Sequence, residues 1–304
     1  MKSLSVVLFL SLHFIKLRAG EWCYEPEACN DCSGPNNWGH ISSKCDGSAQ
    51  SPINIVTHKL VYNKQLNPFT FEGYDSAHDY TITNNGHSVE VNLKSSSIQI
   101  QGGGLPGHFK AIQLHFHWGS DKVNGSEHSI DGERFPMELH IVHSNAAGKS
   151  VSNTTSDDRL AVLGFFYEPS NEENKNYTSL IEAIKKIPQA GSTTTVSNLN
   201  LQKLIPESRY LKHYYRYNGS LTTPTCDEKV TWTLFPQTIK LAKEQLKVFY
   251  EQLNFSATAK MERNFRPIQN LNNRIVETSD ARSIFSQTAV LLTSLFLCYL
   301  MNAS

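Results

Sequence analysis

The chain carries no excess of either charge: 28 Lys and Arg stand against 28 Asp and Glu over 304 residues, with an isoelectric point near 7.2. That balance excludes the basic surface of a nucleic-acid binder and the acidic tail of a charge-driven partner. Cysteine is scarce, six in all, too few for a small disulfide scaffold. There is no internal Ser/Gly/Pro-rich linker, no internal repeat and no H-E-x-x-H zinc-hydrolase motif. What is present, 39% hydrophobic and 10% aromatic residues, is the composition of a folded chain that can bury a core.

The two ends read as processing segments. Residues 1–20 hold Lys2, an apolar run from Leu4 to Leu12, and small residues at Ala19 and Gly20, the layout of a secretory signal peptide. In residues 277–304, Ser279, Asp280 and Ala281 precede a short polar spacer and an uncharged apolar stretch from Ile284 to Met301. This is the pattern of a glycosylphosphatidylinositol signal attached at Ser279, whose hydrophobic tail is removed. A minimal spanning anchor is the alternative, but the stretch is short of the roughly 20 apolar residues such a helix needs and has no basic flank beyond Arg282. Five sequons ahead of the apolar tail, at Asn124, Asn153, Asn176, Asn218 and Asn254, point to the same secretory route and to the outer leaflet of the plasma membrane. What remains, residues 21–276, is expected to form one domain.

Within it, short alternating segments separated by turn signals predict strands at Tyr80–Thr83, Ser88–Leu93, Ser97–Gln101, Ala111–Trp118, Met137–Val142 and Leu160–Tyr167. Helical periodicity is clear only at Ser179–Ile187 and Gln237–Gln252. The expected class is mainly β with a few peripheral helices.

The informative histidines lie in Gln113-Leu114-His115-Phe116-His117-Trp118 and Glu138-Leu139-His140-Ile141-Val142-His143. Side chains alternate along a strand, so His115 and His117 share a face, about 6 to 7 Å apart along the backbone, a chelating distance. His140 on a neighbouring strand would complete three imidazoles with one open position, the arrangement of a catalytic zinc site. The same period puts Gln113 beside His115 and Glu138 beside His140, placed to accept their second ring protons. His143 falls on the opposite face from His140 and reads as structural.

These segments, with Gln50–Ile55, Asn84–His87, Ser126–His128, Leu160–Gly164, Ser220–Pro224, Val230–Trp232 and Asn264–Pro267, resemble in order the signature segments of α-class carbonic anhydrases, from about Trp22 to Val276. With its signal, extra cysteines and anchor tail, the chain is most similar to the membrane-anchored isozyme IV group. The resemblance implies a single domain around a large central, mostly antiparallel twisted sheet, and reversible hydration of carbon dioxide to bicarbonate. It implies Zn²⁺ held by His115, His117 and His140. Thr222 matches the gatekeeping threonine that, with Glu127, orients the nucleophile, and Thr223 would line the same wall. Val142, Val162, Leu221 and Trp232 match the apolar wall that receives carbon dioxide. His87 matches the proton shuttle, and Tyr24 and Asn85 match residues that order the intervening water. Glu90 and Val89 stand where better known members carry a polar amide and an aromatic on the cavity wall.

The resemblance also implies a Cys45–Cys226 disulfide; a second joins Cys23 to Cys29 or Cys32, and Cys298 leaves with the tail. A bicarbonate transporter is a candidate partner by family analogy alone. A catalytically silent, recognition-only relative is the alternative function, but such relatives typically lose a zinc histidine, and all three stand here with Glu127 and Thr222. Phosphatidylinositol-specific phospholipase C is expected to release the protein from the cell surface; retention would identify a spanning anchor instead.

Overall fold

The computed structural model describes residues 22–25, 32–94, 97–146 and 159–281. The signal segment, the apolar tail, Cys29 and the Asn153 sequon lie outside them. In chain order the strands are β1 (Asn54–Ile55), β2 (Val61–Tyr62), β3 (Phe69–Glu72), β4 (Ala77–Asn84), β5 (Val89–Asn92), β6 (Gln99–Gly102), β7 (Phe109–Trp118), β8 (Ser129–Ile130), β9 (Met137–Asn145), β10 (Leu160–Ser170), β11 (Thr193–Asn200), β12 (Tyr215–Gly219), β13 (Val230–Ala242) and β14 (Glu277–Thr278). The α-helices are α1 (Thr178–Ile184), α2 (Leu201–Leu204) and α3 (Lys243–Gln252).

Twelve of these strands form one sheet in the order β11-β4-β5-β7-β9-β10-β13-β12-β14-β2, with β3 and β6 attached at β7. Pairing is antiparallel except between β10 and β13 and between β14 and β2. The mainly β, mostly antiparallel architecture is therefore as expected, and β1 and β8 form a separate parallel pair.

Period-two patterning explains why the centre of the sheet forms. Along β7, Leu114, Phe116 and Trp118 are buried in the larger core, while Gln113, His115 and His117 alternate with them onto the other face. Along β9, Met137, Leu139 and Ile141 enter the same core and Glu138, His140 and Val142 face away. A register slip of one residue would exchange the two sets, so burial of the apolar face also fixes where the polar residues point. An irregularity between Ala111 and Gln113 in the β7–β9 ladder sets this register, placing His115 opposite His140 and His117 opposite Glu138.

Two elements differ from expectation. Gln237–Ala242 is not helical: it is the end of β13 and continues the parallel ladder, pairing Ile239 with Tyr167 and Leu241 with Pro169. There Ile239 and Leu241 are buried while Lys240 is exposed, so a local period of two overrides the helical pattern. Helix α3 starts only at Lys243, where the Gln245 side chain accepts the Ala242 N–H at 3.2 Å. At the other end of the domain the sheet runs beyond Val276, because Glu277 and Thr278 pair with both β12 and β2, and Ser279 donates its N–H to the Tyr214 carbonyl at 3.2 Å.

Among the described residues there are two disulfides. Cys45–Cys226 spans a separation of 181 residues, and the second joins Cys23 to Cys32, resolving the choice left open by sequence. The long one is nearly fully buried, and around it Arg266 donates to the Cys45 carbonyl at 3.0 Å and Gln50 to the Cys226 carbonyl at 3.2 Å. Replacing Cys45 and Cys226 together by Ser is expected to cost about 2 to 5 kcal/mol, because so long a loop is freed in the unfolded chain. A urea unfolding midpoint that did not move would contradict this.

Candidate active site

His115 and His117 on β7 and His140 on β9 converge on the face of the sheet opposite the larger core. Their ligand atoms all lie within 4.8 Å of one another. Each ring is aimed by the bond it makes on its far nitrogen. His115 Nδ1 donates to Gln113 Oε1 at 2.8 Å, His117 Nδ1 to the Asn264 carbonyl at 2.8 Å, and His140 Nε2 to Glu138 Oε1 at 2.7 Å. With those protons assigned, His115 Nε2, His117 Nε2 and His140 Nδ1 all present lone pairs to a common point.

Three converging lone pairs repel unless a cation lies between them. His115 Nε2 and His140 Nδ1 are 3.3 Å apart, too well supplied with lone pairs to bond each other. Four ligands about 2.0 to 2.1 Å from a tetrahedral zinc ion would be separated by about 3.3 Å. His117 Nε2 is fully buried with no partner in the protein. The residues therefore fit Zn²⁺. Protonation states fit too, since burial pushes His115 well below the ordinary imidazole range and His117 down to about 4, and burial also lowers His140. All three are neutral at physiological pH, as ligands must be.

Glu138 is the hub behind the site. Burial would raise its carboxyl, but the neighbouring His128 and His140 hold it well below the usual carboxylate range. It accepts from His128 Nδ1 at 2.7 Å and from the His128 N–H at 2.8 Å as well as from His140. His128 Nε2 then meets the Tyr217 hydroxyl at 2.6 Å, Tyr217 meets Ser51 Oγ at 2.8 Å, and Ser51 Oγ accepts the Ser220 N–H at 3.0 Å. The chain of bonds thus runs from His140 to the loop that carries Thr222. Gly164, opposite His140 on β10, leaves room for it: a Cβ there would sit 2.7 Å from Leu234 Cδ2 and 3.3 Å from Glu138 Oε1.

Glu127 is fully buried, and its Oε1 accepts the Arg266 N–H at 2.9 Å. Its Oε2 lies 3.4 Å from His117 Nε2 and 4.0 Å from His140 Nδ1, aimed into the site without a partner. Burial raises this carboxyl, while His140, the Arg266 amide and the Thr222 hydroxyl favour its ionised form. Thr222 is buried, and Thr223 is half-buried with its carbonyl accepting the Cys226 N–H.

The apolar residues form a row across three strands: Val142 on β9 lies opposite Val162 on β10, which lies opposite Trp232 on β13. Leu221 packs on this smaller core, and the Trp232 ring stands 4.7 Å from that of His140. The row adjoins the three converging histidines.

His87 sits in a turn shaped by Asn84, Asn85 and Gly86, the glycine taking φ +85. Asn85 Oδ1 accepts the N–H groups of His87 at 2.9 Å and Ser88 at 2.8 Å, so its carbonyl oxygen is used in holding the turn. Tyr24 is buried with its ring edge-on to His117 at 6.4 Å. One expectation fails: Val89 is not on the cavity wall but wholly buried in the larger core with Val91. Strand alternation gives only Glu90 to the side of His115, its cross-strand neighbour.

Sequence reasoning assigned no role to Asn264, His128, Tyr217 or Ser51. Asn264 matters most: its carbonyl aims His117, its Oδ1 accepts the Trp118 N–H at 2.7 Å, and its amide donates to the His87 carbonyl at 3.0 Å. A backbone carbonyl 147 positions from its histidine leaves no mark in the sequence beyond the presence of the motif itself.

The model of the eukaryotic-type carbonic anhydrase family matches residues 33–280. The chain belongs to that family, and it is a carbonic anhydrase. Within the family it is 46% identical to carbonic anhydrase 4 of Rattus norvegicus over 266 residues, covering 86% of this chain and 85% of the relative. It is 43% identical to carbonic anhydrase 4 of Oryctolagus cuniculus over 90% of this chain and 89% of the relative, and 36% identical to carbonic anhydrase 6 of Homo sapiens, over 90% and 89%.

Glu138→Gln is expected to weaken zinc binding by about 10 to 100-fold, since one oxygen that fixes the His140 tautomer is replaced or turned away. Competition with a chelator measures this, and unchanged affinity would remove the aiming role from Glu138.

Proposed function

We propose that the protein is a zinc-dependent enzyme that interconverts carbon dioxide and bicarbonate at the outer cell surface. The observation that carries the zinc reading is the set of three imidazole lone pairs turned to one point, each by a bond on its far nitrogen. When bound, Zn²⁺ supplies an acidified water, with a pKa of about 7 in carbonic anhydrases generally.

The protein's own groups do the rest. Carbon dioxide, uncharged and without a dipole, lies against the apolar side chains of Val142, Val162, Leu221 and Trp232. The Thr222 hydroxyl donates a hydrogen bond to Glu127, which as a carboxylate can only accept, so the threonine oxygen is left to accept from the attacking nucleophile and turn its lone pair toward the carbon. Consumption of water and carbon dioxide yields bicarbonate and one proton, and His87, at the rim, passes that proton to buffer. Tyr24 and Asn85 border the path, with the Asn85 amide group available to water.

The location rests on the leader and tail patterns, on two disulfides that persist in oxidising compartments, and on the similarity to carbonic anhydrase 4. Of the sequons, Asn176 and Asn218 are exposed and open to glycans; Asn124 is exposed with its amide donating to the Arg134 carbonyl at 2.8 Å, and Asn254 is half-buried with its amide donating to the Pro188 carbonyl at 3.0 Å. Ser279, the attachment residue in this reading, directly follows β14, and its hydroxyl donates to the Lys212 carbonyl at 2.9 Å.

Stopped-flow hydration of carbon dioxide should disappear on chelation and return with added Zn²⁺. His87→Ala should lower turnover in weak buffer by at least about tenfold, with recovery on addition of imidazole. Activity that survives complete metal removal would overturn the zinc reading, and unchanged turnover in the His87 variant would overturn the shuttle.

A further inference from the structure

On the face of the sheet away from the converging histidines, a cavity of about 370 Å³ opens between the end of β7, the start of β9 and helix α3. That volume is within the range of sites that take small molecules. Met137, Leu246 and the half-buried Tyr250 line it with apolar surface, and Asp121, Lys243 and Lys247 supply polar groups. Asn124, the acceptor of the first sequon, lines the same cavity. Its loop is fixed: Ser120 donates its N–H to the Val123 carbonyl at 2.9 Å, and Gly125 donates to the Pro136 carbonyl at 3.2 Å. The turn is closed so tightly that a Cβ on Gly125 would stand 1.8 Å from the Gly119 nitrogen. The Asn124 side-chain amide donates to the Arg134 carbonyl at 2.8 Å. An N-linked sugar replaces only one of the two amide hydrogens, so the other can keep this bond and hold the linkage in place.

We infer that this cavity is a docking site for the N-linked glycan of Asn124, with the innermost N-acetylglucosamine laid against Tyr250. The inference rests on the reading of the chain as a secretory product. Ser126, the third residue of the sequon, is wholly buried, its Oγ donating to the His128 carbonyl at 2.7 Å and accepting the Phe135 N–H at 2.9 Å. The sugar is therefore added before this loop folds, and the folded loop then sets where it goes. Saccharide chemistry matches the lining. A pyranose has a face of C–H groups, which suits the electron-rich face of an aromatic ring, and hydroxyls at its edge, which suit the Asp121 carboxylate and the Lys243 ammonium. Little intrinsic affinity is needed, because a short tether holds the sugar at an effective concentration on the order of millimolar. Docking ties the 119–125 loop to α3, behind the sheet, and leaves the hydration step untouched.

The test uses the full chain made through the secretory pathway of cultured animal cells, as wild type, Tyr250→Ala, Tyr250→Phe and Asn124→Gln. The last removes the acceptor and leaves the buried Ser126 in place. Peptide mapping should find a glycan on Asn124 in every protein except Asn124→Gln. From native wild type, peptide:N-glycosidase F should remove it about tenfold more slowly than from Tyr250→Ala, the ratio for a sugar docked about nine-tenths of the time. Tyr250→Phe should keep the slow rate, and carbon dioxide turnover should be the same in all four proteins. A second measurement needs no variant: trimmed to one N-acetylglucosamine, the Asn124 sugar of wild type should show proton NMR signals shifted upfield by the aromatic ring. Equal removal rates from wild type and an active Tyr250→Ala, or an unshifted sugar in wild type, would overturn the inference. Asn124 left bare while Asn176 or Asn218 carries a glycan would also overturn it and leave the secretory reading standing. No glycan on any sequon would overturn the secretory reading and the inference with it.

Discussion

The whole site depends on the hydrogen bond that each ligand histidine makes on the nitrogen facing away from the others. Imidazole has two nitrogens and one proton at neutral pH, so a histidine placed correctly in space can still present the wrong one. Gln113, the Asn264 carbonyl and Glu138 make that choice three times over. Two of the three acceptors are neutral, and the one anion, Glu138, is shared with His128. One negative charge thus lies buried behind the ligands, with a second, Glu127, at their side, and the face offered to a cation is otherwise neutral. A dianionic or trianionic ligand set would offset more of the metal's charge and leave a less acidic water.

Because Glu138, His128, Tyr217, Ser51 and Ser220 form one continuous run of bonds, the ligand His140 and the Thr222 loop share a support. The Cys45–Cys226 bridge and the buried Arg266 guanidinium hold that loop from its other side, Arg266 through Gln50 Oε1 at 2.8 Å and the Ser51 carbonyl at 3.0 Å. Its backbone N–H meanwhile holds Glu127. The three converging histidines and the pair Glu127 and Thr222 are thereby held to each other as well as to the sheet.

How much of this was legible follows from where each constraint resides. The β7 and β9 faces could be read because a half-buried strand shows its period directly, and alternation alone paired Gln113 with His115 and Glu138 with His140. The same rule, followed strictly, would have sent Val89 into the core; there the comparison with other members misled and the local period was right. The start of α3 was misread because Ile239, Ala242, Leu246 and Phe249 also recur at helical spacing, and only the parallel partner β10 settles Gln237–Ala242 as strand. The Asn264 carbonyl was beyond reach, since it depends on a fold that brings distant backbone together, and the choice of Cys32 over Cys29 as the partner of Cys23 was open because both lie close in the chain.

The pairing of β2 with β14 has a further consequence, for how the chain comes to be folded. Val61 lies beside Glu277, more than 200 residues away, and β12 reaches β2 only through β14. A chain emerging from the ribosome can assemble the histidine-bearing centre of the sheet while this edge still waits for its final strand. Sheets built from such distant partners fold slowly, and they expose unpaired edges while they wait. Asn264 and Arg266, which hold His117 and Glu127, come only shortly before β14 in the chain, so the site and the closing edge of the sheet are both finished late.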